Sequence, residues 1–165
     1  MRNPLPQALS GLVLTLLLLL LGGGSGSAAA APQGTSPMQG AVDQYLHSLP
    51  ADFHALRTVP ALKSQLAGGN TLLIDVRQPS EYRAGHILGA LNIPLRELDE
   101  HLSEIPTDKE IVLYCSTGFR SAMGVMALHL RGYTHVRGFP PSFAGWQAAG
   151  EAVSSPGGSS GTAQA

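Results

Sequence analysis

The sequence predicts an α/β fold, a mainly parallel sheet with helices on both faces. Two runs, Thr71 to Val76 and Ile111 to Tyr114, are short and almost continuously apolar, as in strands covered on both sides. Segments with apolar residues every three to four positions alternate with such runs, the order expected of crossover units. A third observation fixes a place within that frame. Cys115 follows the second run in a small polar loop that opens a helical pattern, at a strand's carboxyl end, where open sheets of this kind collect ligands.

The elements follow in order. Val42, Tyr45, Leu46 and Leu49 recur at helical spacing and predict a short amphipathic helix ended by Pro50. Phe53 to Arg57 reads as a first strand. Thr58 is an N-cap for a helix with Val59, Leu62 and Leu66 inward, stopped by Gly68-Gly69. After the strand at Thr71, Pro79 to Tyr82 makes one helical turn and Ala90 to Ile93 a short strand. Leu95, Leu98 and Leu102 predict a helix with Arg96, Glu97, Asp99 and Glu100 outward. Thr107 to Lys109 turns into the strand Glu110 to Tyr114. A helix follows from Phe119 to Arg131, with Ala122, Val125, Met126 and Leu130 inward and Gly132 closing it. Thr134 to Val136 reads as the last strand, Phe143 to Ala149 as the last helix.

The two ends read differently from this middle. Arg2, the apolar run Leu9 to Leu21 and the Gly/Ser/Ala stretch Gly22 to Ala31 have the order of a secretory signal peptide, assigned to residues 1–30 with cleavage after Ala29 or Ala30. The apolar run is shorter than the ~18 to 20 residues of a spanning helix. An uncleaved anchor, the alternative, is the one route by which this chain would stay at a membrane. Residues 31–41 are expected to be a linker, 42–153 the folded domain and 154–165 a disordered tail too poor in apolar residues to bury itself. The domain is expected outside the cytoplasm, periplasmic or secreted.

With ten basic and eleven acidic residues and no basic stripe, nucleic acid is not an expected partner. One cysteine forms no internal disulfide, and an odd thiol in an oxidising compartment points to a use. His47, His54, His101, His129 and His135 show no metal-ligand spacing, so neither metal nor cofactor is expected, and the chain is read as a monomer.

Several pieces in order, Leu73-Ile74-Asp75-Val76-Arg77, Glu81-Tyr82, Gly85-His86-Ile87-Leu88-Gly89-Ala90-Leu91-Asn92-Ile93-Pro94, the run Ile111 to Tyr114, the loop Cys115 to Arg120, Gly132-Tyr133 and Trp146, resemble the rhodanese-like domains. The resemblance covers nearly the whole middle of the chain. It implies a five-stranded, mainly parallel sheet and a sulfurtransferase loop, with Cys115 as nucleophile and Ser116, Thr117, Gly118, Phe119 and Arg120 around the substrate. One departure stands out: Pro141-Ser142 occupies the place where many members have Gly-Gly. It bears on acceptor preference, unless Ser142 serves simply as N-cap of the last helix.

The loop's own chemistry points the same way. Gly118 permits φ > 0, so consecutive N–H groups can curl toward one point and hold Cys115 as an exposed thiolate, open to over-oxidation. An anionic sulfur donor such as thiosulfate presents an outer sulfur to that thiolate. Cyanide, a small thiol or a protein thiol would then remove the sulfur carried on Cys115. Ser116, Thr117 and Ser121 offer hydroxyl donors. Arg120 either draws in the anion or stiffens the loop by pairing with an acid. Asp75, Arg77 and His86 read as a strand-end ion pair and a packed imidazole, and Trp146 as core. Four residues separate Cys115 from Arg120, one fewer than in the related cysteine phosphatases, so phosphate chemistry ranks last. The competing reading is a persulfide carrier that delivers sulfur to a protein partner with little turnover of its own.

Overall fold

The computed structural model describes residues 36–155; the signal-peptide region lies outside them, as do the first residues of the linker and most of the expected tail. Four parallel strands form the central sheet: β1 (Thr71–Asp75), β3 (Leu91–Asn92), β4 (Glu110–Tyr114) and β5 (Val136–Gly138), in the order β3-β1-β4-β5. A second, antiparallel pair joins β2 (His86–Ile87) to β6 (Val153–Ser154). Around them run α1 (Pro37–His47), α2 (Val59–Ala67), α3 (Pro79–Ala84), α4 (Phe119–Leu130) and α5 (Ser142–Ala148).

The sheet separates two cores. Ile74, Ile111, Leu113, Val125, Leu128 and Val136 pack on the α4 side, and Leu62, Leu73, Val112, Tyr114, Phe139 and Trp146 on the other. This follows from the period of two along a strand. Ile111, Val112, Leu113 and Tyr114 alternate between the faces, and Cys115, next in the chain, continues the alternation toward α4. The central position of β4, paired with β1 from Thr71↔Glu110 to Asp75↔Tyr114 and with β5 from Ile111↔Val136 to Leu113↔Gly138, holds that strand end in place.

Several expectations shift. Ser36 caps α1 through Gln39 in a reciprocal capping box, so helix begins at Pro37, inside the segment read as linker to residue 41. Phe53 to Arg57 is not a strand: Phe53 and His54 both take φ +54°, and Ala55 alone bridges Gly138. The five-stranded sheet is thus four strands and one bridge. The helix expected from Leu95 is two 3₁₀ turns, Leu95–Glu97 and Leu102–Glu104. Leu95 and Leu98, and again Leu102 and Ile105, are three apart, the spacing that shares one side of a 3₁₀ turn. The inward face of α4 is Ser121, Gly124, Val125 and Leu128, whereas Ala122 and Leu130 face out. β5 starts only at Val136, leaving Thr134 and His135 of the expected strand outside it, and runs on to Gly138, which pairs with Leu113. Ser154, read as the start of the tail, pairs with His86.

Candidate active site

Cys115 leaves β4 at the carboxyl edge of the sheet and is followed by Ser116, Thr117 and Gly118 before α4 begins. Gly118 has φ +100°, which turns the chain back on itself, and its N–H lies 3.1 Å from Cys115 Sγ. Burial by itself raises the pKa of this thiol. Hydrogen bonds from the backbone N–H groups of Ser121, Thr117, Gly118 and Arg120 outweigh it, and the pKa lies below its ordinary value. The N–H groups of Gly118, Arg120 and Ser121 are among the donors that a helix start leaves without intrahelical partners, and Thr117 adds one from the loop before it. The turning of loop amides toward the sulfur expected from the sequence is present, with the Gly118 N–H in hydrogen-bond contact. The exposure is not: Cys115 is 2 % exposed, because the strand alternation turns it into the core on the α4 side.

The loop is pinned from the α5 side. Phe143 N–H donates to the Cys115 carbonyl at 2.9 Å and Ala144 N–H to the Ser116 carbonyl at 3.1 Å. Ser142 Oγ accepts from Cys115 N–H at 3.3 Å and donates to the Phe139 carbonyl at 2.8 Å. Ser142 is therefore not a side-chain cap for α5. It is the first residue of that helix, sits at φ +53° and ties its hydroxyl to the loop. Where the resemblance leads one to expect Gly-Gly, a serine takes a backbone conformation that glycine adopts freely. Pro141 lacks an N–H, but the turn is closed by Ser142 N–H to Phe139 O at 3.0 Å, so that lack leaves this bond intact.

Arg120 points along the loop rather than into solvent. Its Nη1 donates to Glu81 Oε2 at 2.7 Å and its Nη2 to Glu81 Oε1 at 2.9 Å and to Ser116 Oγ at 2.8 Å. Ser116 Oγ in turn donates to Glu81 Oε1 at 2.9 Å. The Arg120 guanidinium, first among the causes, helps hold the Glu81 carboxyl down at about 2. Arg120 also interacts with Cys115. Of the two roles open to it, pairing with an acid is what the geometry displays, within reach of the sulfur. The hydroxyls of Ser116 and Ser121 are spent elsewhere, on Glu81 and on the Gly118 carbonyl. The side chains of Thr117 and Phe119 face solvent, Phe119 at 77 % exposure.

Asp75 and Arg77 form a buried bidentate pair, with Arg77 Nη2 also donating to the Gly85 carbonyl and its guanidinium 4.1 Å from the Phe143 ring centroid. His86 stacks on Tyr82 at 3.7 Å and its Nδ1 lies 3.0 Å from the Tyr82 carbonyl. Trp146 Nε1 donates to the Ala152 carbonyl at 2.9 Å. All four stand where a structural role places them. Sequence reasoning left out Glu81 as a site residue. Its signal was available: Glu81 lies three positions after Gln78 and two after Pro79, so it is fixed at a helix start, and Arg120 needed an acid.

The model of the family described as "Rhodanese-like domain" matches residues 58–149. YqhL, an uncharacterized protein of Bacillus subtilis, is 45% identical over 74 residues, 45% of this chain and 59% of that protein. The human thiosulfate:glutathione sulfurtransferase is 33% identical over 103 residues, 54% of this chain and 90% of that protein. Among solved structures, a human single-domain sulfurtransferase superposes with a TM-score of 0.51 at 32% identity, covering 55% of this chain and 93% of that one. The chain thus spans somewhat over half of YqhL and nearly the full length of the human sequence and of the human structure. With its strand order, its cysteine loop and this match over more than half its length, the chain belongs to the rhodanese-like domain family.

Proposed function

We propose that this chain is an exported single-domain sulfurtransferase that moves sulfane sulfur from thiosulfate or a related anionic donor, through a Cys115 persulfide, to cyanide or a thiol. The observation that carries the reading is the convergence of backbone N–H groups on Cys115 Sγ, strong enough to outweigh burial. In the first step the thiolate attacks the donor's outer sulfur. An Sγ–S bond forms, the sulfur–sulfur bond of thiosulfate breaks, and sulfite leaves with the bonding pair. One plus two negative charges enter, and the persulfide and sulfite carry the same total away. In the second step the acceptor takes the outer sulfur and returns the pair to Sγ, regenerating the thiolate. With the Gly118 N–H 3.1 Å from Sγ, the transferred sulfur would be held close to the same N–H groups. The residue order of the first 31 positions supports export.

A second reading, a persulfide carrier serving a protein thiol, draws on the surface beside the loop. Phe119 and Met123, one helical turn apart at the start of α4, are 77 % and 62 % exposed. Such apolar exposure next to a reacting group suits contact with another protein. Purified protein is expected to form thiocyanate from thiosulfate and cyanide, and Cys115→Ser to abolish it. Thiocyanate production that survives the substitution removes the assignment. Intact mass of the protein from its native compartment separates the two readings and tests export. A species one sulfur heavier with slow cyanide turnover favours the carrier, and an intact residue 1–30 segment counts against cleavage.

A further inference from the structure

Glu81 reaches from α3 and grips the Cys115 loop at both ends, at Ser116 and at Arg120. Both carboxylate oxygens are engaged: Oε2 also accepts the Gln78 N–H at 3.1 Å. The charge of the guanidinium is therefore balanced by a bidentate, charge-assisted pair. Other charges close by do not restore a net positive field. Asp75 and Arg77 cancel each other, with Arg77 also attracted to Glu81. Tyr114, beneath them, is kept neutral by burial, which pushes its phenol up. What attracts an anion is then the ring of backbone N–H groups, with the residual pull that Arg120 still exerts on Cys115.

We propose that Glu81 is a positioning residue that sets how tightly the site holds anions: by cancelling Arg120 it leaves the amide ring attractive enough for a thiolate yet weak enough to release an anionic product. The inference rests on the sulfur-transfer reading, in which sulfite leaves with as many charges as the donor brought. An uncancelled guanidinium would bind both more tightly and slow the release. A role confined to bracing the loop predicts the reverse, because a loosened loop loses its N–H donors.

Glu81→Gln keeps the shape and removes the charge. The first readout needs no turnover: the rate of Cys115 alkylation by iodoacetamide against pH. The midpoint is expected to fall by ~0.5 to 1 unit, since a freed cation near a thiolate favours the charged form. Sulfite inhibition should tighten roughly threefold or more, with KM for thiosulfate falling alongside it. A midpoint that stays or rises overturns the proposal. Arg120→Gln, which leaves Glu81 uncancelled, should raise the midpoint. The double variant Glu81→Gln/Arg120→Gln is neutral again and should return to within about 0.3 units of wild type. Should Glu81→Gln fail to fold, those two carry the test, and a double variant no nearer wild type than Arg120→Gln alone overturns it. If the sulfur-transfer reading is what fails, wild-type protein makes no thiocyanate while the alkylation midpoints keep the predicted order.

Discussion

Gly118 carries two separate constraints at one residue. Its φ of +100° is costly for any side chain, and a Cβ there would stand 2.9 Å from the Pro140 carbonyl oxygen. That oxygen belongs to backbone, so the loop itself must move. Gly118→Ala is expected to destabilise the domain by about 1 to 3 kcal/mol in urea unfolding. It should also raise the Cys115 alkylation midpoint, because the N–H now 3.1 Å from Sγ is carried away. The second effect separates a damaged cradle from mere loss of stability. Gly118 was legible in the sequence because φ > 0 has one common occupant. Ser142 was not: at φ +53° it does what a glycine would, and only the fold reveals that its hydroxyl bonds Cys115 N–H. Burial of Cys115 was equally hidden, since the residue types of the loop are polar and the inward turn comes from strand alternation.

At the scale of the element, α4 shows how a helix face is misread from apolar side chains alone. Apolar periodicity puts Val125 inward, as the fold does, but it favours Ala122 and Leu130 over Gly124 and Ser121, which the fold buries. A residue with no side chain gives no hydrophobic signal, yet it leaves room for the Leu113 side chain of β4. A Cβ on Gly124 would meet Leu113 Cδ2 at 2.5 Å, and Leu113 is fully buried. Gly124→Val is therefore expected to lower stability by about 1 to 3 kcal/mol through overpacking, against the modest gain in helix propensity over glycine. Thermal unfolding checks it, and an unchanged or raised Tm contradicts the close packing of α4 on β4. Elements with strong local signals were read well: Thr58 caps α2 by accepting from Ala61 N–H at 3.2 Å, and Gly68 ends it. The 3₁₀ turns after Pro94 were not, since leucines three and four apart fit either kind of helix until the i→i+3 bonds are seen.

Across the whole molecule, what no local pattern announced is the tie between distant segments. β2 and β6 are two residues each, too short for any periodicity, and their pairing joins His86 to Ser154 and Ile87 to Val153. The same C-terminal stretch supplies the Ala152 carbonyl to Trp146 Nε1 and the Glu151 carboxylate to Lys63 at 2.7 Å. The exposed ion pair contributes little by itself. The other two contacts matter more, because Ile87 and Trp146 are 1 % and 6 % exposed and lie in the core on the α2 and α5 side. Ending the chain after Gly150 strips β2 of its partner, leaves the Trp146 N–H without its acceptor and opens part of that core. A loss of about 2 to 4 kcal/mol is expected, read as a fall in Tm of roughly 10 °C. A chain ending after Ser155 keeps all three contacts and serves as the comparison. The Cys115 alkylation midpoint should be the same in both, since the N–H groups that set it come from Thr117 to Ser121. A truncated chain that melts with the longer one would show that the β2–β6 pairing adds nothing to the fold. One that keeps its Tm but loses the low midpoint would show the C-terminal stretch acting on the loop through α5, whose Phe143 and Ala144 N–H groups hold the Cys115 and Ser116 carbonyls.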